Sequence, residues 1–121
     1  MSKKFSVVLV AAMMFVALLG VPALAADVSV GIVFSTGGLG DQSFNDAAYR
    51  GLEEAAADFG IDFVFVEPTD VAEMEEHLRA YAQAGYDLVI AVGFQQESAL
   101  EVVSEDYPGI NFAIIDAVVD N

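Results

Sequence analysis

Three short segments carry the residue types that could hold a small solute. They are Ser35-Thr36-Gly37-Gly38-Leu39-Gly40-Asp41-Gln42-Ser43-Phe44, then Gly93-Phe94-Gln95, and then the single carboxylate Asp116. Together they combine uncharged hydrogen-bonding groups, glycines, aromatic rings and an acid. A binding cleft uses that mixture, because rings cover a flat ligand and a few polar groups fix its orientation. Phosphate chemistry fits less well. Gly38-Leu39-Gly40 begins like a dinucleotide loop, but Ser43 stands where the third glycine belongs, and Asp41 would face any pyrophosphate. Glu67 is only a loose match to the acid that binds a ribose, and no lysine follows Lys4 to serve a Walker loop. The glycines also read simply as what lets the chain turn tightly into a helix.

Catalytic and metal constellations are weak. His77 is the sole histidine, and it sits among Glu73, Glu75 and Glu76 on what reads as the solvated face of a helix. With no cysteine and no second histidine, it makes a poor metal ligand. Asp41 and Asp116 are the one carboxylate pair that could approach for hydrolysis, and nothing marks either with an apolar setting that would raise its pKa. No catalytic residue, metal or cofactor is assigned.

The elements that must position these segments alternate. Val28–Phe34 is a β-branched strand that runs into the glycine loop. Ser43–Phe59 is helical in its spacing, with apolar positions at Phe44, Ala47, Ala48, Gly51, Leu52, Ala55, Ala56 and Phe59. Asp41 or Ser43 can cap it, and Gly60 ends it. Phe44, in its first turn, reads equally as a ligand platform and as a staple packing the helix start onto the sheet. Asp62–Val66 is a second strand. Asp70 and Glu73 form a plausible capping pair for a helix to Ala84, inward at Met74, Leu78, Tyr81 and Ala82, with Gly85 beyond it. Leu88–Val92 is a third strand, apolar throughout, as a parallel strand covered on both faces should be. Gln96–Asp106 is a third helix, inward at Ala99, Leu100, Val102 and Val103, and Asn111–Ile115 is a fourth strand. The alternation predicts an α/β three-layer sandwich with a parallel sheet built by right-handed crossovers. Ligands of such sheets collect at the carboxyl ends of the strands, where all three segments fall.

The flanking sequence predicts export. Lys3 and Lys4 precede an apolar run from Phe5 to Val21, then Pro22 and Ala23-Leu24-Ala25, the layout of a signal peptide (1–25) cleaved after Ala25. A retained anchor is the competing reading, since the run approaches the ~17 residues at the lower limit for spanning a bilayer. No lipid-bearing cysteine is available, because the chain has none. Residues 26–121 suffice for one domain. Apart from the leader lysines, Arg50 and Arg79 are the only cations against 19 carboxylates, a balance that repels nucleic acid and anionic membranes. A monomer is expected, and adaptation to salt is a further possibility that the charge raises.

Val30-Gly-Ile-Val-Phe34, followed by Gly37-Gly38-Leu39-Gly40-Asp41-Gln42-Ser43-Phe44-Asn45-Asp46, resembles the opening of the basic membrane protein family of ABC transporter substrate-binding proteins, in which purine nucleoside receptors are the best known. Gly85-Tyr86-Asp87-Leu88-Val89-Ile90, Val92-Gly93-Phe94, Tyr107-Pro108 and Phe112-Ala113-Ile114-Ile115-Asp116 extend the likeness over Val28–Asn121. The resemblance implies a periplasmic-binding-protein-like (type I) fold of two lobes that close on a ligand. The present chain would be an incomplete first lobe, with the second lobe absent and the isolated lobe binding weakly or not at all. It further implies that Phe44 stacks on the base, with Ser43 beside it and Asp116 supplying a carboxylate. Ser35 stands where many relatives carry an aspartate. With Phe94 from the same edge, the candidate ligand contacts are Ser35, Ser43, Phe44, Phe94 and Asp116. The implied partners are a nucleoside-like solute and an ABC permease in the membrane. An exported sensor module and an exported α/β nucleoside hydrolase are the rival readings.

Overall fold

The computed structural model describes residues 27–119. Four strands, β1 (Ser29–Val33), β2 (Asp62–Val66), β3 (Leu88–Val92) and β4 (Asn111–Ile115), form one sheet in the order β2-β1-β3-β4. All three pairings are parallel, with Val30 opposite both Phe63 and Leu88, and Val89 opposite Phe112. Between the strands run α1 (Phe44–Phe59), α2 (Met74–Ala84) and α3 (Glu97–Asp106).

Alternation along β1 divides the core in two. Val30, Ile32 and Phe34 pack with Leu52 of α1 and Val92 of β3 on one face. Val33 packs with Leu78 and Ala82 of α2, Val89 and Ala91 of β3, and Leu100 and Val103 of α3 on the other. Strands covered on both faces read as continuous apolar runs, which is why β1 and β3 carry so few polar residues. Each fully buried Leu or Val on these faces stabilises the fold by roughly 1.5–3 kcal/mol. Tyr49 of α1 sets its ring edge-on to Phe63 and Phe65, which seats the helix over the β2 edge.

The order of strands gives the sheet its switch point. From β1 the chain moves outward to β2, then α2 carries it back past β1 to β3. Strand order thus reverses between β1 and β3, and their carboxyl ends mark where the ligand crevice of an open α/β sheet is expected.

The three-layer architecture agrees with the sequence expectation, and several details differ. The second and third helices each begin with a 3-10 turn, Val71–Glu73 and Phe94–Gln96, so their α-helical parts start at Met74 and Glu97. Asp70 accepts from Ala72 N–H as a cap should, but Glu73 reaches back to Thr69, not Asp70, bonding its N–H at 3.0 Å and its hydroxyl at 3.2 Å. Phe59 and Val102 were expected inward and are 73% and 46% exposed. Phe59 is the last residue of α1, whereas Val102 sits mid-helix beside fully buried Val103 and falls off the buried stripe that Leu100 and Val103 define. His77 was expected on the solvated face and is half-buried, while Glu75 and Glu76 beside it are exposed. The expected signal peptide lies outside the described residues.

Candidate functional site

The loop from Ser35 to Phe44 is folded around its own polar side chains. Asp41 caps α1: its carboxylate accepts from the backbone N–H of Ser43 at 2.8 Å, and of Asn45 and Asp46 at 3.1 Å each. Partial burial pushes that carboxyl upward, and the three N–H donors outweigh it, holding its pKa below the ordinary 3.8. Asp46 accepts from Gly40 N–H at 2.7 Å and Gln42 N–H at 2.9 Å. Glu67, from the end of β2, accepts from Leu39 N–H at 2.8 Å. Gly38 makes this approach feasible, since at its φ of +62° a Cβ would lie 2.6 Å from the Glu67 carboxylate. The N–H groups of Leu39, Gly40, Gln42, Ser43, Asn45 and Asp46 are thus taken by carboxylates, and no phosphate cradle remains.

Two buried amides tie the loop to the sheet. Asn45 accepts from Ser35 N–H and Ser35 Oγ at 3.0 and 3.1 Å, and it donates to the Gly38 carbonyl at 3.0 Å. Gln96 donates through Nε2 to the carbonyls of Val33 at 2.8 Å, Val92 at 2.9 Å and Phe34 at 3.3 Å. It clasps the carboxyl ends of β1 and β3, and its Oε1 has no hydrogen-bond partner among the described residues. Neither amide was singled out from sequence as part of the site. The available signal was position: Asn45 leads the stripe Ala48, Leu52, and Gln96 leads the stripe Leu100, Val103. A polar residue heading an apolar stripe faces inward and must find partners there.

The five expected contact residues all fall at the carboxyl edge of the sheet. Ser35 follows β1 and is half-buried, while Ser43 is exposed before α1. The Ser43 hydroxyl makes no cap bond; Asp41 performs that role. Phe44 opens α1 with 48% of its surface exposed, and Phe94 follows β3 with 65% exposed, so neither ring is core. Asp116 ends β4 in an exposed left-handed conformation, φ 69°. That conformation is uncommon for a residue with a Cβ. Only β3 separates β1 from β4, so their ends lie about 10 Å apart at ordinary strand spacing. The arrangement offers two solvent-facing rings, two hydroxyls and a carboxylate along one rim.

Elsewhere, a 180 Å³ groove lined by Leu100, Ser104, Phe112, Ala113, Ile114 and Val119 runs along the outer flank of β4, away from this rim. It arises because β4 has a strand neighbour on one side only. Among the described residues there is no cluster of three or more His, Cys, Asp or Glu able to hold a metal ion, and no helix long and apolar enough to cross a membrane.

Comparison with known proteins places this geometry in context. The sequence model of a family described as "ABC transporter substrate-binding protein PnrA-like" matches residues 28–121. An uncharacterised lipoprotein of Pyrococcus abyssi is 42% identical over 91 residues, covering 74% of this chain and 22% of the relative. A solute-binding protein of an ABC transporter system from Aeropyrum pernix superposes with a TM-score of 0.73 at 43% identity, over 78% of this chain and 26% of that one. The ABC transporter nucleoside-binding protein BmpA of Lactococcus lactis is 27% identical, over 77% of this chain and 28% of its own. The chain therefore spans about a quarter of the length of these relatives.

Proposed function

Since this chain belongs to the family of PnrA-like ABC transporter substrate-binding proteins, we propose that it is an exported receptor lobe that captures a flat, hydroxyl-bearing solute of the nucleoside class for an importer. The observation that carries the reading is the pair of exposed rings, Phe44 and Phe94, on the rim that also bears Ser35 and Asp116. Both rings follow strands that meet at the switch point, where ligands of open α/β sheets collect, and an aromatic face there can cover a flat solute. In this reading Phe44 stacks on the base, and Phe94 closes the neighbouring side. Asp116 accepts from solute hydroxyls or ring N–H groups, and Ser43 makes a polar contact beside the ring. The facing wall of the cleft comes from a second lobe, and a membrane permease receives the solute. A signal peptide of residues 1–25 delivers the protein across the membrane. No chemical step is required of it, so the protein acts as a carrier and not as an enzyme.

Capture by stacking is worth about 1–3 kcal/mol per base–aromatic contact. Replacing Phe44 by Ala is therefore expected to weaken binding of inosine or adenosine by roughly 5- to 150-fold in calorimetric titrations of the full-length gene product, with the melting temperature nearly unchanged because the ring is not in the core. Absence of heat with every purine and pyrimidine nucleoside, or an affinity indifferent to Phe44→Ala, would remove the nucleoside reading. Release of free base from inosine by the purified protein would favour the hydrolase instead.

A further inference from the structure

The hydroxyl of Ser35 has its proton direction fixed from inside the protein. Asn45 is wholly buried and turns its amide towards the Ser35 turn. The backbone N–H of Ser35 lies 3.0 Å from Oδ1 of Asn45, and an N–H only donates, so that atom must be the amide oxygen. On its other side the Asn45 nitrogen donates to the carbonyls of Gly38 at 3.0 Å and Ser35 at 3.4 Å, which fixes the same orientation independently. Ser35 Oγ stands 3.1 Å from that same Oδ1. An amide oxygen cannot donate, so the hydroxyl proton is committed to Asn45. What Ser35 retains for any other partner is lone pairs and no proton. The residue is half-buried where the ends of β1 and β3 meet, close enough to Gly93 that a Cβ there would come within 3.3 Å of Ser35 Cβ.

We infer that Ser35 is a one-way acceptor at the crevice: it selects a solute group that donates a hydrogen bond, a hydroxyl or an N–H, and disfavours an acceptor in the same place. Asn45 is the positioning residue that enforces this polarity. The inference rests on the receptor reading above and refines it to the polarity of one subsite.

The test uses inosine, its 2′-, 3′- and 5′-monodeoxy and monofluoro analogues, and purine riboside, which lacks the ring N1–H. Each is titrated into the full-length protein and into its Ser35→Ala and Asn45→Ala variants. For the unmodified protein, deleting one particular donor is expected to cost about tenfold, and fluorine at that place binds no better than hydrogen. Ser35→Ala is expected to bind inosine about tenfold more weakly and to be indifferent to that same deletion. Asn45→Ala frees the proton, so the fluoro analogue recovers relative to the deoxy analogue. A merely structural role for Asn45 would weaken all ligands alike and leave that ratio unmoved, which would overturn its assignment. Should Asn45→Ala fail to fold, the Ser35→Ala comparison decides the polarity by itself. Inosine binding that couples to no donor deletion, or a fluoro analogue that matches the hydroxyl, overturns the acceptor assignment and leaves the receptor reading in place. No binding by any of these nucleosides overturns both.

Discussion

Single carboxylates hold the loops of this fold in shape, and their protonation should undo it. Asp41 gathers three backbone N–H groups at the start of α1. Asp87 does similar work at the opposite end of the sheet, accepting from Ser29 N–H and from the Ser29 hydroxyl at 2.8 Å each. The Ser29 N–H and then its hydroxyl hold the Asp87 pKa below the ordinary 3.8, as the loop donors do for Asp41. A carboxyl whose pKa is depressed on folding contributes stability that is complete above its unfolded value and is lost as pH falls through the folded one. In 1 M salt, where general charge repulsion is screened, the melting temperature is therefore expected to stay flat from pH 7 to about 5 and to drop below about pH 4. Asp87→Asn should make that drop shallower. A melting temperature that fails to fall at pH 3 would show that these bonds contribute nothing.

At the scale of elements, the fold was legible because hydrophobic periodicity differs sharply between its strands and helices. Val30, Ile32 and Phe34 alternate with Gly31 and Val33, and α1 repeats at Ala48 and Leu52, so the two kinds of element separate cleanly. Less legible was which helix residues are covered. Phe59 fits the helical repeat yet closes α1 in solvent, and Val102 flanks the buried stripe of Leu100 and Val103 without joining it, a distinction that apolar type alone does not make. Nor could spacing reveal that Asn45 and Gln96 turn inward, because a polar residue in an apolar stripe is read as an interruption until its partners are seen. The rim itself was legible, since glycines, rings and Asp116 fall together at strand ends, whereas its hydrogen-bond polarity was not. Close packing between elements gives its own prediction. A Cβ on Gly31 would come within 2.8 Å of the Tyr81 ring, so α2 lies against β1 at a distance only glycine permits. Gly31→Ala is expected to destabilise the protein by about 1–3 kcal/mol in urea unfolding, with the slope of the transition unchanged. A variant as stable as the parent would show that Tyr81 gives way freely.

Charge acts on the molecule as a whole. The net charge is −15, and one of the few cations, Arg79, is already engaged, pairing with Glu75 of its own helix at 2.9 Å and bridging α2 to α3 through Asp106 at 2.6 Å. Unbalanced carboxylates repel one another over a distance that salt shortens from about 10 Å at 0.1 M to about 3 Å at 1 M. At pH 7 the melting temperature is expected to rise by several degrees between 0.05 and 1 M sodium chloride; a flat or falling response would mean that repulsion plays no part in its stability. The strand order has a bearing on how such a chain comes to be folded at all. β1 is made first yet lies second in the sheet, and its pairing with β3, like the grip of Asp87 on Ser29, joins residues 58 positions apart. At about 5–20 residues per second, the ribosome leaves that central strand without one neighbour for several seconds. Non-local pairing of this kind is intrinsically slow to form. A growing polypeptide of this design therefore stays pliable until Leu88 has emerged to give its central strand a second neighbour.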